Sequence, residues 1–212
     1  MFMICTDILL ANGAAYKKVL KGDYIFHEGS RALFYYQLVS GKIKWMNVDD
    51  SGAECIQDIV EPGECFGEMP LFDDEPYAAT AVAEEDCLLL RLSTPHFKHL
   101  LHSFPEINDK FLRLLSQRIR FKFMLIKELS GNTPDHRIIS LIEYLRKNKK
   151  NVCLKCNKIL LTRQQIAGMT GLRVETVIRT IKNLQKNDVV YIDRGKVYYR
   201  GLDTKANPVP AS

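Results

Sequence analysis

With 212 residues, 46% of them hydrophobic and 26% charged, the chain has the make-up of a globular protein with one large or two small cores. No apolar run approaches the roughly 20 residues that cross a bilayer, and Thr6 and Asp7 follow Met1-Phe2-Met3-Ile4-Cys5 too soon for a signal peptide, so a cytoplasmic protein is expected. The net charge of +5 conceals an asymmetry: residues 132–201 hold 15 Lys and Arg against 5 Asp and Glu, whereas residues 1–131 hold 14 against 19. A basic C-terminal third on an acidic body points to a polyanion, and without a basic amphipathic anchor helix nucleic acid is favoured over membrane headgroups.

Six cysteines, at 5, 55, 65, 87, 153 and 156, do not make a secreted disulfide framework in a chain of this size and read as reduced thiols. No phosphate loop, dinucleotide fingerprint or nucleophile elbow is present, so an enzyme is not expected.

In chain order, residues 1–20 read as a helical lead-in. From Lys21 the texture changes to short apolar segments between glycine-bearing turns: Tyr24-Ile25-Phe26, Tyr35 to Val39, Ile43 to Val48, Cys55 to Val60 and Cys87 to Leu92. Many short strands between turns predict an antiparallel barrel or sandwich. A short helix follows Thr94-Pro95; on it His96, His99 and His102 recur every third residue, a spacing that suits surface histidines better than a metal site.

Pro105 breaks the chain before a long helix over about 106–129. Ile107, Phe111, Leu114, Leu115, Arg118, Phe121, Leu125 and Leu129 form a stripe of about six turns, interrupted only by Arg118. That is more than one domain can cover, so part of it is expected to face a second copy. Gly131-Asn132-Thr133-Pro134 reads as a hinge and residues 135–147 as another amphipathic helix. Cys153-Leu154-Lys155-Cys156 has the spacing of zinc and redox sites, but one such pair is half a zinc site and a hairpin is the simpler expectation.

The most informative stretch begins at Leu161. Thr162 followed by Gln165 is a capping box; Ile166, Ala167 and Met169 give the first helix an apolar face; Gly171 turns the chain. A second helix from about Arg173 buries Val177, Ile181 and Leu184 and leaves Arg173, Glu175, Thr176, Arg179, Lys182 and Lys186 facing outward. A Glu and an Arg four apart suit cytosine and guanine edges, although an ordinary helical hairpin with a surface salt bridge has the same spacing. Asp193-Arg194-Gly195, set between Val189 to Ile192 and Val197 to Tyr199, adds a hairpin and favours a winged helix-turn-helix. The tail from 202 to 212 reads as disordered.

Thr162-Arg163-Gln164-Gln165-Ile166-Ala167 and Gly171-Leu172-Arg173-Val174-Glu175-Thr176-Val177-Ile178-Arg179 resemble the DNA-binding signature of the CRP/FNR family of bacterial transcription regulators. Glu28-Gly29, Tyr36 to Ile43 and Pro62-Gly63-Glu64-Cys65-Phe66-Gly67-Glu68 resemble its cyclic-nucleotide-binding β-roll. The resemblance implies an α+β chain: a jelly-roll-like antiparallel β-roll sensor over 1–104, a dimerisation helix over 105–131 and a winged helix-turn-helix over 132–201. It further implies a homodimer on double-stranded DNA that works with RNA polymerase. Glu175 and Arg179 would read bases with help from Arg173 and Val174, while Thr162, Arg163 and Thr176 would meet phosphates. Val174, where cAMP-responsive members carry Arg, implies a TTGA-like palindrome with half-sites about one helical turn apart. Ile178 leaves the outermost base open.

For the effector, the same resemblance places a pocket at Gly67, Glu68, Tyr77, Ala78, Leu125 and Ile126. Tyr77 and Ala78 stand where nucleotide-binding members have Arg-Ser, and no Lys or Arg occurs between Lys44 and Arg91. Losing that cation costs about 1.5–3 kcal/mol, which implies an effector other than cAMP and leaves its identity open. An oxygen-sensing iron–sulfur cluster would need an N-terminal cysteine cluster, and only Cys5 is there. Two alternatives stay open: a cyclic-nucleotide-responsive regulator with a divergent pocket, and a nucleotide-sensing module acting on a protein partner.

Overall fold

The computed structural model describes residues 4–200 and divides the chain into two compact units, Met1–Arg120 and Phe121–Ser212. The expected tail at 202–212 lies outside the described residues, as does the start of the N-terminal segment.

The first unit holds α1 (Thr6–Ala11), β1 (Ala15–Val19), β2 (Tyr24–Phe26), β3 (Phe34–Ser40), β4 (Ile43–Val48), β5 (Glu54–Val60), β6 (Cys65–Phe66), α2 (Pro70–Asp73), β7 (Thr80–Ala83), β8 (Cys87–Ser93) and α3 (Thr94–Ser103). The strands form two antiparallel four-stranded sheets, ordered β1-β8-β3-β6 and β2-β7-β4-β5. Side chains alternate along each strand, so β3 and β8 send residues to two cores. Tyr36, Leu38, Cys87 and Leu89 meet Phe26, Trp45, Phe66 and Tyr77 between the sheets. Tyr35, Leu90 and Leu92 pack on the other side against Leu9, Phe97, Leu100, Ile107 and Phe111. This two-sided burial is why Cys87-Leu88-Leu89-Leu90 is almost continuously apolar.

The lead-in is not one helix. Among its described residues Thr6–Ala11 is helical, and Ala15–Val19 is a strand on β8, with Tyr16 opposite Leu90 and Lys18 opposite Leu88. Buried Gln37 anchors the segment, accepting from the Ile4 N–H at 3.0 Å and donating to its carbonyl at 3.1 Å.

Helix α4 (Pro105–Leu129) runs across the boundary between the units. Its residues sort onto two faces. Ile107, Phe111 and Phe121 are buried, and Leu114 packs partly against the first unit's helical core. Leu112, Ile119, Phe123, Ile126 and Leu129 are exposed, and they recur at three-, four- and seven-residue steps. The stripe read from the sequence therefore merges part of a buried face with an exposed one that it largely overlooked.

The second unit continues with α5 (Pro134–Lys147), α6 (Arg163–Thr170), α7 (Val174–Lys186) and the hairpin β9 (Val190–Asp193) with β10 (Lys196–Tyr199). Ile138, Leu141, Ile142 and Leu145 of α5 are buried together with Ile166, Met169, Val177, Ile181, Leu184, Val190 and Val197. Phe121 stacks on Tyr144 at 4.0 Å. Arg137 Nη2 donates to the Leu129 carbonyl at 3.1 Å, satisfying an end group of α4.

Candidate nucleic-acid interface and the interior of the β-roll

Both bonds of the capping box form: the Gln165 N–H donates to Thr162 Oγ1 at 3.1 Å, and the Thr162 N–H to Gln165 Oε1 at 2.8 Å. Gly171 ends α6 at φ +64°, a conformation that suits glycine, and an added Cβ would stand 3.2 Å from Leu129 Cδ2. These features set α7 across α6. No side chain caps α7, whose N-cap is Arg173, so its first N–H groups are free to meet an anion.

Val177, Thr180, Ile181 and Leu184 fix the inner face of α7. Glu175, Ile178, Arg179, Lys182 and Lys186 line a cleft of about 750 Å³ that is floored on one side by Pro134 and Asp135. Asn183 Nδ2 donates to Asp135 Oδ2 at 2.8 Å, tying α7 to the first turn of α5. Glu175 and Arg179 are therefore one turn apart on the same exposed face; Arg173 and Thr162 are exposed, and Val174 and Thr176 half-buried. Burial holds the half-buried Arg163 guanidinium below the usual arginine value.

The hairpin adds residues that spacing alone did not single out. Arg194 and Gly195 form its tip at φ +44° and +77°, and Arg194 and Lys196 are exposed. Tyr191 stacks on Tyr198 at 4.6 Å with Arg200 over the Tyr191 ring, so the wing is braced by aromatic and cationic side chains. The basic triplet Arg194-Gly195-Lys196 was the available signal.

In the β-roll, Gly67, Glu68 and Tyr77 come together. Gly67 has φ +66°, and an added Cβ would stand 2.7 Å from the Phe26 ring and 3.1 Å from Tyr77 Cε1. The Tyr77 ring lies on Phe26 at 3.7 Å with planes 7° apart, and Tyr36 and Phe66 extend the aromatic cluster. Burial pushes the Tyr77 phenol above its ordinary value. Ala78 is exposed, and its carbonyl accepts from Asn47 Nδ2 at 2.7 Å.

Glu68 is fully buried and forms an ion pair with Arg118 of α4. Arg118 Nη1 donates to Glu68 Oε1 and Nη2 to the Cys65 carbonyl at 2.8 Å, with the guanidinium 5.3 Å from the Trp45 ring centre. Burial by itself would lower the Arg118 pKa, but Glu68 outweighs it and raises the value. Glu68 Oε2 and Trp45 Nε1 have no hydrogen-bond partner. A cation thus does reach this carboxylate, from α4 rather than from the stretch between Lys44 and Arg91 that holds no Lys or Arg. Leu125 and Ile126 lie seven and eight positions beyond Arg118, in the second unit, where Leu125 is half-buried and Ile126 is 59% exposed.

A two-sheet β-roll, a long helix and a winged helix-turn-helix with an outward basic face define a DNA-binding regulator with a sensor-type domain. Residues 16–104 match the cyclic nucleotide-binding domain and residues 136–205 the Crp-like helix-turn-helix domain. The chain is 29% identical over 181 residues to the cyclic AMP receptor protein of Thermus thermophilus, covering 85% of this chain and 81% of that one. It is 26% identical over 180 residues to the transcriptional activator protein Anr of Pseudomonas aeruginosa, covering 84% and 73%. The solved structure of the c-di-GMP-responsive global regulator CLP of Xanthomonas campestris shares the fold, with a TM-score of 0.71 over 92% of this chain and 97% of that one at 21% identity. The chain belongs to the CRP/FNR family of transcription regulators.

Proposed function

We propose that the chain acts as a homodimer on a palindromic operator with TTGA-like half-sites, under the control of something other than cAMP. The observation that carries this reading is the outward face of α7. Glu175 and Arg179 stand one turn apart among Lys182 and Lys186, and nothing apolar but Ile178 shares the face. Arg179 can pair with guanine O6 and N7, Glu175 can accept from cytosine N4, and Val174 can touch a thymine methyl. Arg173, Thr162, Arg163 and Thr176 flank them as phosphate contacts. Dimerisation is supported by the exposed stripe Leu112, Ile119, Phe123, Ile126 and Leu129, which has the seam spacing of two paired helices. RNA polymerase is the further partner that family membership suggests.

Residues of the β-roll do not fit a cyclic nucleotide. Tyr77 is stacked on Phe26 where a phosphate-binding cation would be needed, and Arg118 is drawn to Glu68 Oε1 and the Cys65 carbonyl. The effector is therefore a different ligand or none. Control would operate as a population shift, in which a change in the β-roll repacks 106–129 and the segment 131–134 reorients the recognition helices. The test is fluorescence anisotropy of a labelled TTGA-type palindrome against a scrambled duplex at fixed salt. Preference for the palindrome supports the reading; equal affinity for both duplexes contradicts it.

A further inference from the structure

Residues 152–159 double back on themselves just before α6. Val152 bridges Ile159, the Cys153 N–H donates to the Lys158 carbonyl at 2.9 Å, and the Asn157 N–H donates to the Cys153 carbonyl at 2.7 Å. Asn157 closes the turn at φ +55°. Both thiols therefore sit on one short turn, Cys156 exposed and Cys153 half-buried. They are three residues apart on that turn, and hydrogen bonding from Cys156 and the Lys155 N–H lowers the Cys153 thiol. The other cysteines differ. Cys65 and Cys87 are buried, and burial pushes both thiols up. Cys5 and Cys55 are exposed but stand on separate elements, ahead of α1 and on β5.

We propose that Cys153 and Cys156 are a dithiol–disulfide site that low-molecular-weight disulfides oxidise. Hydrogen bonds to the Cys153 sulfur, with the Lys155 ammonium nearby, lower its pKa and make it the attacking thiolate. It attacks one sulfur of the oxidant, forming a mixed disulfide and expelling the first thiolate, which takes up a proton. Cys156 then gives up its proton, attacks the Cys153 sulfur and releases the second thiol. One disulfide is formed and one reduced, and the two electrons lost by the pair appear in the two released thiols. A metal is the weaker occupant: among the described residues no group of three or more His, Cys, Asp or Glu is placed to hold one.

The turn is stitched to the wing. Lys158 bridges Tyr198, the Ile159 N–H donates to the Val197 carbonyl at 2.8 Å, and the Tyr199 N–H donates to the Asn157 carbonyl at 3.0 Å. Closing the disulfide would constrain the turn and shift β10, which carries Lys196. This consequence rests on the DNA-binding reading; the thiol chemistry does not.

The experiment equilibrates the full chain in buffers of reduced and oxidised glutathione, traps thiols by alkylation and maps tryptic peptides. Cleavage at Lys150, Lys155 and Lys158 puts the two thiols in separate peptides, 151–155 and 156–158. The expected result is that these peptides are joined by a disulfide whose share follows the buffer ratio, and that Cys156→Ser leaves Cys153 carrying glutathione. Finding Cys153 and Cys156 separately alkylated or separately glutathionylated in buffers that already modify Cys55 overturns the site. Anisotropy on oxidised protein, against the Cys153→Ser/Cys156→Ser variant, then tests the wing: weaker DNA binding by the disulfide form is expected, and equal affinity overturns the coupling alone.

Discussion

Arg118 and Glu68 are 50 residues apart in sequence and meet as a buried ion pair that joins α4 to the β-roll. The carboxylate is fully buried, and its second oxygen has no partner, so the guanidinium supplies almost all of its compensation. This contact ties the part of α4 that belongs to the first unit to β6 and the residues that follow it, through Glu68 Oε1 and the Cys65 carbonyl.

Removing the cation alone should therefore be costly. Arg118→Met leaves Glu68 buried and unpaired and is expected to lower stability by about 3–5 kcal/mol, whereas Arg118→Met with Glu68→Leu should regain most of that loss. Urea unfolding of both variants checks it. A loss below about 1 kcal/mol in the single variant would mean the pair behaves as a solvated surface bridge.

Ile119 and Ile126 lie one heptad apart on the exposed face of α4, with Phe123 between them. Ile119→Glu with Ile126→Glu should yield a monomer in sedimentation velocity while circular dichroism stays unchanged. A dimer that survives both charges would place the interface elsewhere.

Thr162 serves as a helix cap and is proposed as a phosphate contact, and the two roles separate on substitution. Thr162→Asp keeps an N-cap acceptor and should change stability by less than about 0.5 kcal/mol, yet its charge should weaken DNA binding. Thr162→Ala should instead cost about 0.5–2 kcal/mol of stability. Thermal melts and DNA titrations of the pair distinguish these outcomes.

Arg179→Ala should cost about 1–3 kcal/mol of operator affinity and relax preference at one base pair. Titration against the four substituted half-sites measures it. An equal loss on every sequence would make Arg179 a phosphate contact.

The Cys153 thiol is lowered, first by the hydrogen bond from the Cys156 backbone N–H and then by the Cys156 thiol. Its thiolate is thus present at lower pH than that of a free cysteine, and alkylation of Cys153 should rise earlier in a pH series. A profile at or above that of free cysteine contradicts the hydrogen-bonded turn.

What could be read from sequence was local. The capping box at Thr162 and Gln165, the turn at Gly171 and the periodic burial of Val177, Ile181 and Leu184 depend on neighbours within a few residues, and so does the apolar run Cys87 to Leu92. What could not be read was set by distant partners. Ala15–Val19 became a strand because β8 offers it an edge, and Cys65–Phe66 and Thr80–Ala83 are too short or too alanine-rich to signal a strand alone. Arg118 looked like an interruption because its partner lies on another element. The outward face of α4 was missed because Leu112, Ile119, Phe123 and Ile126 lie beside the stripe and repeat with the same three-, four- and seven-residue steps.

The most direct test is anisotropy of the labelled TTGA-type palindrome, titrated with the 212-residue chain at fixed salt with and without cAMP. Tight, sequence-selective binding that cAMP leaves unchanged is the predicted result. Binding that appears only with cAMP would contradict it, and would mean that the Tyr77–Phe26 stack and the Arg118–Glu68 pair give way to the nucleotide.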